Sequence, residues 1–127
     1  MLSNNFFSSC KKSDYSFSFA ELHSDIDRDL NSILFLNDQT GFAVGGDRYF
    51  KGDILKRTDG GNTWTSKIDS LPKALYGIFL LDTDTGFICG FDGKIYRTFD
   101  NGETWQYYQS NYWKPIYAIC FTDVNNG

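Results

Sequence analysis

The side chains best able to do chemistry in this chain are few and scattered. The single histidine, His23, has no serine or cysteine signature beside it, so it reads as an exposed loop residue rather than a general base. Cys10, Cys89 and Cys120 form no C-x-x-C pair and no Cys/His cluster, which argues against a structural zinc site. The 16 acids fall mostly in turn-like segments, and no pair stands out as the two placed carboxylates that glycoside hydrolysis needs. Asp82-Thr83-Asp84-Thr85-Gly86 opens like a calcium loop, but Gly93 stands where that loop needs its bidentate Glu. The corresponding Asn37-Asp38-Gln39-Thr40-Gly41 reads as a turn. No catalytic residue, metal ligand or cofactor is therefore assigned.

Two segments suggest contact with something outside the chain. Tyr107, Tyr108, Tyr112 and Trp113 lie close together among amides, a composition that suits a glycan or protein contact surface. The plainer reading is packing between repeated units, with Trp113 the best candidate for exposure. At the other end, Phe6 to Ser13 is similar to the end of a bacterial lipoprotein signal peptide. In that resemblance Cys10 would carry the lipid. The basic start and long apolar segment of such a signal are missing, so an ordinary tail over residues 1–15 stands beside it.

Charge narrows the partners. The net charge is −4 and no Lys/Arg run exists, so neither phosphate backbones nor anionic lipid find clustered cations. No stretch approaches the roughly 18 apolar residues that span a membrane.

The elements that would position these residues come from an internal repeat. Asp59-Gly60-Gly61-Asn62-Thr63-Trp64 aligns with Asp100-Asn101-Gly102-Glu103-Thr104-Trp105. Ile54 aligns with Ile95, and Leu75-Tyr76 with Ile116-Tyr117. Upstream, Leu36 to Gly41 aligns with Leu81 to Gly86. The spacing differs because the first copy carries extra residues near Asp47 to Lys51, a hairpin of variable length. Each unit reads as four short strands bounded by Gly, Asn and Asp. The first strands are Leu30 to Leu36, Leu75 to Leu81 and Ile116 to Phe121. As continuous apolar runs they suit burial on both faces, and Cys89 and Cys120 then count as small core hydrophobes. A Cys89–Cys120 disulfide stays open. The register places a fourth strand of a preceding unit at Ser16 to Leu22, against a competing helical spacing of Phe19, Leu22, Ile26 and Leu30. The third unit stops after its first strand and turn, so the chain is expected to continue past Gly127.

The repeated turn has its own physics. An Asp carboxylate can accept backbone N–H groups of its own loop, as in an Asx-turn. A Gly supplies a positive φ. A Thr hydroxyl bonds back across the loop, and a Trp anchors the next strand in apolar surroundings. Asp59, Gly61, Thr63 and Trp64 hold these places in the first copy. Thr98, Asp100, Gly102, Thr104 and Trp105 hold them in the second. Arg57 stands where the second copy has Thr98.

This pattern, Ser/Thr-x-Asp-x-Gly-x-Thr-Trp, is that of the Asp box (BNR-type repeat). With Gly41-Phe42, Gly86-Phe87, Ile54 to Trp64 and Ile95 to Trp105, the chain resembles the photosystem II assembly and stability factor-like propellers. The likeness runs from about Phe19 to Gly127. It implies an all-β fold, a partial β-propeller of four-stranded antiparallel blades. The blades would span about 30–69 and 75–110, with the next begun at 116 and residues 16–127 forming one propeller fragment. The resemblance further implies a non-catalytic scaffold for protein interaction or assembly, secreted or lipid-anchored in a bacterium. Asp boxes also occur in sialidases and other glycoside hydrolases. Sialidase chemistry requires three carboxylate-binding arginines, and this chain has only Arg28, Arg48, Arg57 and Arg97, with Arg57 and Arg97 expected at a blade surface or edge. The non-catalytic portion of such an enzyme, or a carbohydrate-binding module using Trp113, are the alternatives.

Overall fold

The computed structural model describes residues 23–24, 28–60, 63–123 and 126. Among them the chain is all-β. The strands are β1 (His23–Ser24), β2 (Leu30–Phe35), β3 (Gly41–Asp47), β4 (Lys51–Arg57), β5 (Thr63–Leu71), β6 (Leu75–Leu80), β7 (Gly86–Gly90), β8 (Lys94–Thr98) and β9 (Gln106–Gln109). They form two antiparallel four-stranded sheets, β2 to β5 and β6 to β9, each in simple sequence order. The two-residue β1 lies parallel along β5, with His23 opposite Thr63. His23 is therefore in a short strand rather than a loop. No helix of the described residues is long and apolar enough to cross a membrane. The two sheets do not close a ring.

Local chemistry explains the order. Between β2 and β3, the Asn37 side chain accepts the N–H groups of Gln39 and Thr40, each at 2.8 Å, while Leu36 N donates to Thr40 O. Between β6 and β7, Asp82 does the same for Asp84 at 2.8 Å and Thr85 at 2.7 Å, and Leu81 N donates to Thr85 O. The related turn forms a third time, where Thr122 N donates to Asn126 O and Asn126 bonds back to the Asp123 carboxylate. A side-chain acceptor on so short a stem reaches the backbone N–H groups two and three residues on and makes a self-contained turn. The two inner hairpins differ as the alignment predicts. β3 and β4 extend to Asp47 opposite Lys51, whereas β7 and β8 are joined by a single 3₁₀ turn over Phe91–Gly93. That shorter connection places Asp92 and Gly93 in the left-handed region, at φ 58° and 70°.

The sheets pack face to face through Phe42, Val44 and Ile54 from the first and Leu75, Ile78, Ile88 and Tyr96 from the second. Ala43, Leu55 and Trp64 form a smaller cluster with Phe35. Burial departs from the sequence reading. The strands buried on both faces are inner ones: β3 up to Gly46, β4 over 52–56 and β7 throughout Gly86–Gly90. β2 is an edge strand, with Leu30 and Ile33 exposed. An apolar run signals strand formation, but two-sided burial needs neighbours on both edges and both faces.

Residues 116–121 are not a strand, contrary to expectation. They lie against the second sheet all the same. Ile116 N donates to Gly90 O at 3.0 Å, Tyr117 packs on Tyr76, and Phe121 stacks on Phe87 with ring centroids 3.9 Å apart. A strand needs a partner's backbone ladder, and none is present here. The expected strand over Ser16 to Leu22, and the 1–15 tail with Cys10, lie outside the described residues.

Candidate functional site

The turn joining β8 to β9 holds a dense polar network. Thr98 Oγ1 donates to Asp100 Oδ1 at 2.8 Å and accepts from Gly102 N at 2.9 Å. Asp100 also accepts Thr104 N at 2.9 Å and the Thr104 hydroxyl at 2.6 Å. Trp105 Nε1 donates to Gly102 O, closing the loop. Asn101 and Gly102 take φ values of 58° and 77°. A Cβ on Gly102 would run into the Phe42 ring, so space as well as conformation demands glycine.

Chemically, the network engages the Thr98 and Thr104 hydroxyls and the Asp100 carboxylate with one another, while the buried Asn101 Oδ1 has no hydrogen-bond partner. The Thr104 hydroxyl, the Thr104 N–H and then the Thr98 hydroxyl hold the Asp100 carboxyl down at about 2. A carboxylate with its lone pairs so engaged is a poor proton carrier. The depressed value has a consequence for stability. The folded pKa lies below the unfolded value of roughly 3.9. The turn's contribution is therefore complete above about pH 4 and lost as pH falls towards 2. Thermal melts from pH 7 to pH 2 should show a decline in that window that is smaller in Asp100→Asn, whose neutral amide does not titrate. Asp100→Asn should also melt several degrees below wild type at pH 7, where equal midpoints would contradict the structural role.

The first copy differs at one corner. Asp59 and Thr63 are exposed, and Gly60 takes φ 65°. Gly61 lies outside the described residues. Arg57 reaches over Phe35 and Trp64, at 4.7 Å and 5.7 Å from the ring centroids, and donates to Asp38 O at 3.1 Å. Trp64 is buried, 5% exposed.

The second turn is also the joint between the sheets. Lys56 of β4, only 3% exposed, donates through Nζ to Asn101 O at 2.6 Å and to Glu103 Oε1 at 2.7 Å. Lys67 reaches the other Glu103 oxygen at 2.8 Å. These two ammonium groups, Lys56 first, hold the Glu103 carboxyl below its usual range. Trp105 meets Phe42 edge-on. Nothing in the linear pattern singled out Lys56. The available signal was a lysine directly after the apolar pair Ile54-Leu55, on the same strand as Asp53.

The four aromatics marked as a contact surface do not converge. Tyr107 and Tyr108 are neighbours on β9 and so project to opposite faces, opposite Tyr96 and Ile95. The Tyr107 hydroxyl donates to Gln109, and the Tyr108 hydroxyl to Gln106 at 2.9 Å. Tyr112 and Trp113 stand in the loop beyond, at 57% and 69% exposure.

One polar cavity escaped the sequence reading. A space of about 520 Å³ is lined by Arg28, Asp29, Asn31, Asp47, Arg48 and Tyr76. Arg28 grips Asp53 by two hydrogen bonds of 2.7 Å, and Asp53 is fully buried. Asn31 Nδ2 donates to Leu75 O at 2.7 Å, tying the first sheet to the second. Charges of both signs line the cavity. Among the described residues, no group of three or more His, Cys, Asp or Glu is placed to hold a metal ion. The arginines remain separate in role: Arg28 pairs with Asp53, Arg48 lines the cavity, Arg57 lies on Phe35 and Arg97 lies over Phe99.

Cys89 and Cys120 are both free. Cys89 is fully buried, and burial pushes its thiol up to about 11. Cys120 is exposed, which corrects the expectation that it is a core thiol. Its segment is not paired in a sheet, so strand alternation does not dictate where the side chain goes. Iodoacetamide at pH 8 should label Cys120 quickly and Cys89 only on unfolding, because the thiolate is the reacting form. Equal labelling rates in the folded protein would contradict this.

No family model matches the chain, and neither a curated protein nor a solved structure matches it.

Proposed function

We propose that this chain is part of an Asp-box β-propeller that serves as a non-catalytic scaffold for protein interaction or assembly, secreted or lipid-anchored. The observation that carries the reading is the recurrence of the same non-local backbone bonds in both units. Gly60 N donates to Gln39 O, and Asn101 N donates to Asp84 O, each at 3.0 Å. Gly46 N donates to Asp29 O at 2.8 Å, and Phe91 N donates to Ala74 O at 3.0 Å. Those pairs occupy aligned positions, so two units share one three-dimensional plan. Units of this kind bury their faces against neighbours, as repeat architectures require. The hydroxyls and carboxylates of the second turn hold the turn and the joint, which suits a structural role for the motif.

An experimental structure of the intact gene product tests the architecture. About 4–8 four-stranded sheets set radially round one axis would support it. A free-standing two-sheet sandwich would overturn it. The non-catalytic reading is tested by fluorogenic sialosides and glycosides, where turnover above buffer would favour the hydrolase alternative.

The exposure of Trp113 beside Tyr112 favours a second reading, a carbohydrate-binding surface. Binding on a glycan array that disappears in Trp113→Ala would support it. Binding that survives the substitution would place the glycan elsewhere.

A further inference from the structure

The two sheets carry the same groove in two states. On the first sheet, Phe42 faces Lys56 across β3 and β4. That groove is filled: Trp105 abuts Phe42 with ring centroids 6.4 Å apart at 86°, and Lys56 holds the Asn101 carbonyl and the Glu103 carboxylate. On the second sheet, the aligned pair is Phe87 and Arg97, facing each other across β7 and β8. Here a groove of about 270 Å³ remains, lined by Phe87, Ile95, Arg97, Tyr108, Ile119 and Phe121. Phe121 covers part of Phe87, but among the described residues nothing takes the place of Trp105 or Glu103. Ile54 is fully buried on the first sheet, whereas its counterpart Ile95 is only half-buried. Arg97 Nε is buried with no hydrogen-bond partner.

We infer that the Phe87–Arg97 groove is a receptor for an acidic, tryptophan-bearing turn of the Asn-Gly-Glu-Thr-Trp kind, supplied by a further sheet of the same repeat. The apolar walls would receive the indole, as Phe42 receives Trp105. The guanidinium would take the carboxylate, as the Lys56 ammonium takes Glu103. Arginine suits this better than lysine, because its planar fork binds a carboxylate by two parallel bonds. A buried N–H without an acceptor costs free energy, and the incoming acid or carbonyl removes that cost. This receptor role rests on the proposed repeat architecture but requires only the equivalence of the two sheets, not closure of a ring.

The test appends a copy of residues 87–113 after Gly127, which completes a third sheet from the second sheet's own sequence. The extended chain should melt several degrees above the parent. Arg97→Glu should remove most of that gain, and a Glu→Arg change at the copy of Glu103 should restore it. A gain indifferent to Arg97→Glu, or unrestored by the charge swap, overturns the inference. An independent measurement titrates a disulfide-cyclised peptide of residues 94–109 against the 127-residue chain by calorimetry. Saturable binding that weakens about tenfold or more in Arg97→Glu supports it. Absence of binding by a peptide whose circular dichroism shows a hairpin overturns it.

Discussion

Trp64→Ala is expected to destabilise the protein by about 3–5 kcal/mol, the range for truncating a buried aromatic. Trp64 is 5% exposed and sits with Ala43 and Leu55 on one face of the first sheet. Phe35 meets its ring at 5.9 Å and 59°, and the Arg57 guanidinium lies over it. Truncation removes that apolar contact and leaves a cavity that β-sheet neighbours cannot collapse to fill, because their backbones are fixed by the ladder. Denaturant unfolding should show a lower midpoint with little change in slope. Trp64→Phe should cost less, since it keeps a ring in the same space. A loss below about 1 kcal/mol for the alanine variant would mean that the indole is not a core side chain.

Arg28→Met should cost a similar amount, about 3–5 kcal/mol, by a different mechanism. Asp53 is fully buried on β4, and Arg28 meets both carboxylate oxygens at 2.7 Å. Methionine keeps much of the side-chain bulk but leaves the buried carboxylate without its guanidinium. The penalty is then mainly that of an uncompensated charge in an apolar strand. Combining Arg28→Met with Asp53→Leu should recover much of the loss, because replacing both ions by apolar groups is often neutral. The double-mutant cycle reads this directly, with a coupling of about 0.5–3 kcal/mol expected for groups in contact. Additive losses would show that the pair acts as two independent packing groups.

The joint between the sheets offers a milder contrast. Glu103 is half-exposed while Lys56 is buried, so the pair's weight lies on the lysine side. A variant that removes the carboxylate leaves the Lys56 ammonium with the Asn101 carbonyl and the face of the Phe42 ring. At the aligned Arg97 the guanidinium lies over Phe99 at 4.0 Å, and among the described residues no carboxylate takes the place of Glu103.

Most of the strands of the two sheets, and the turns between them, are written in local sequence. Gly, Asn and Asp at fixed positions dictate the turns through backbone freedom and local hydrogen bonds, so Asn37, Asp82 and Asp100 could be placed before any coordinate was known. The repeat set which segments had to be equivalent, and β2 to β5 and β6 to β9 follow it. The polar network of the second turn was likewise legible, because its donors and acceptors lie within a few residues of one another. Tertiary structure alone decided everything that depends on sequence-distant partners. Phe42 and Leu30 both lie in apolar stretches, yet Phe42 is fully buried and Leu30 is 47% exposed, because β3 is paired on both edges whereas β2 is paired on one. Residues 116–121 read as a strand but have no ladder to join. Arg28 and Asp53 come together across 25 positions, and Lys56 and Glu103 across 47, distances at which no local pattern carries information. A short-range hydrogen bond is encoded where it forms, whereas burial and ion pairing belong to the way the two sheets meet.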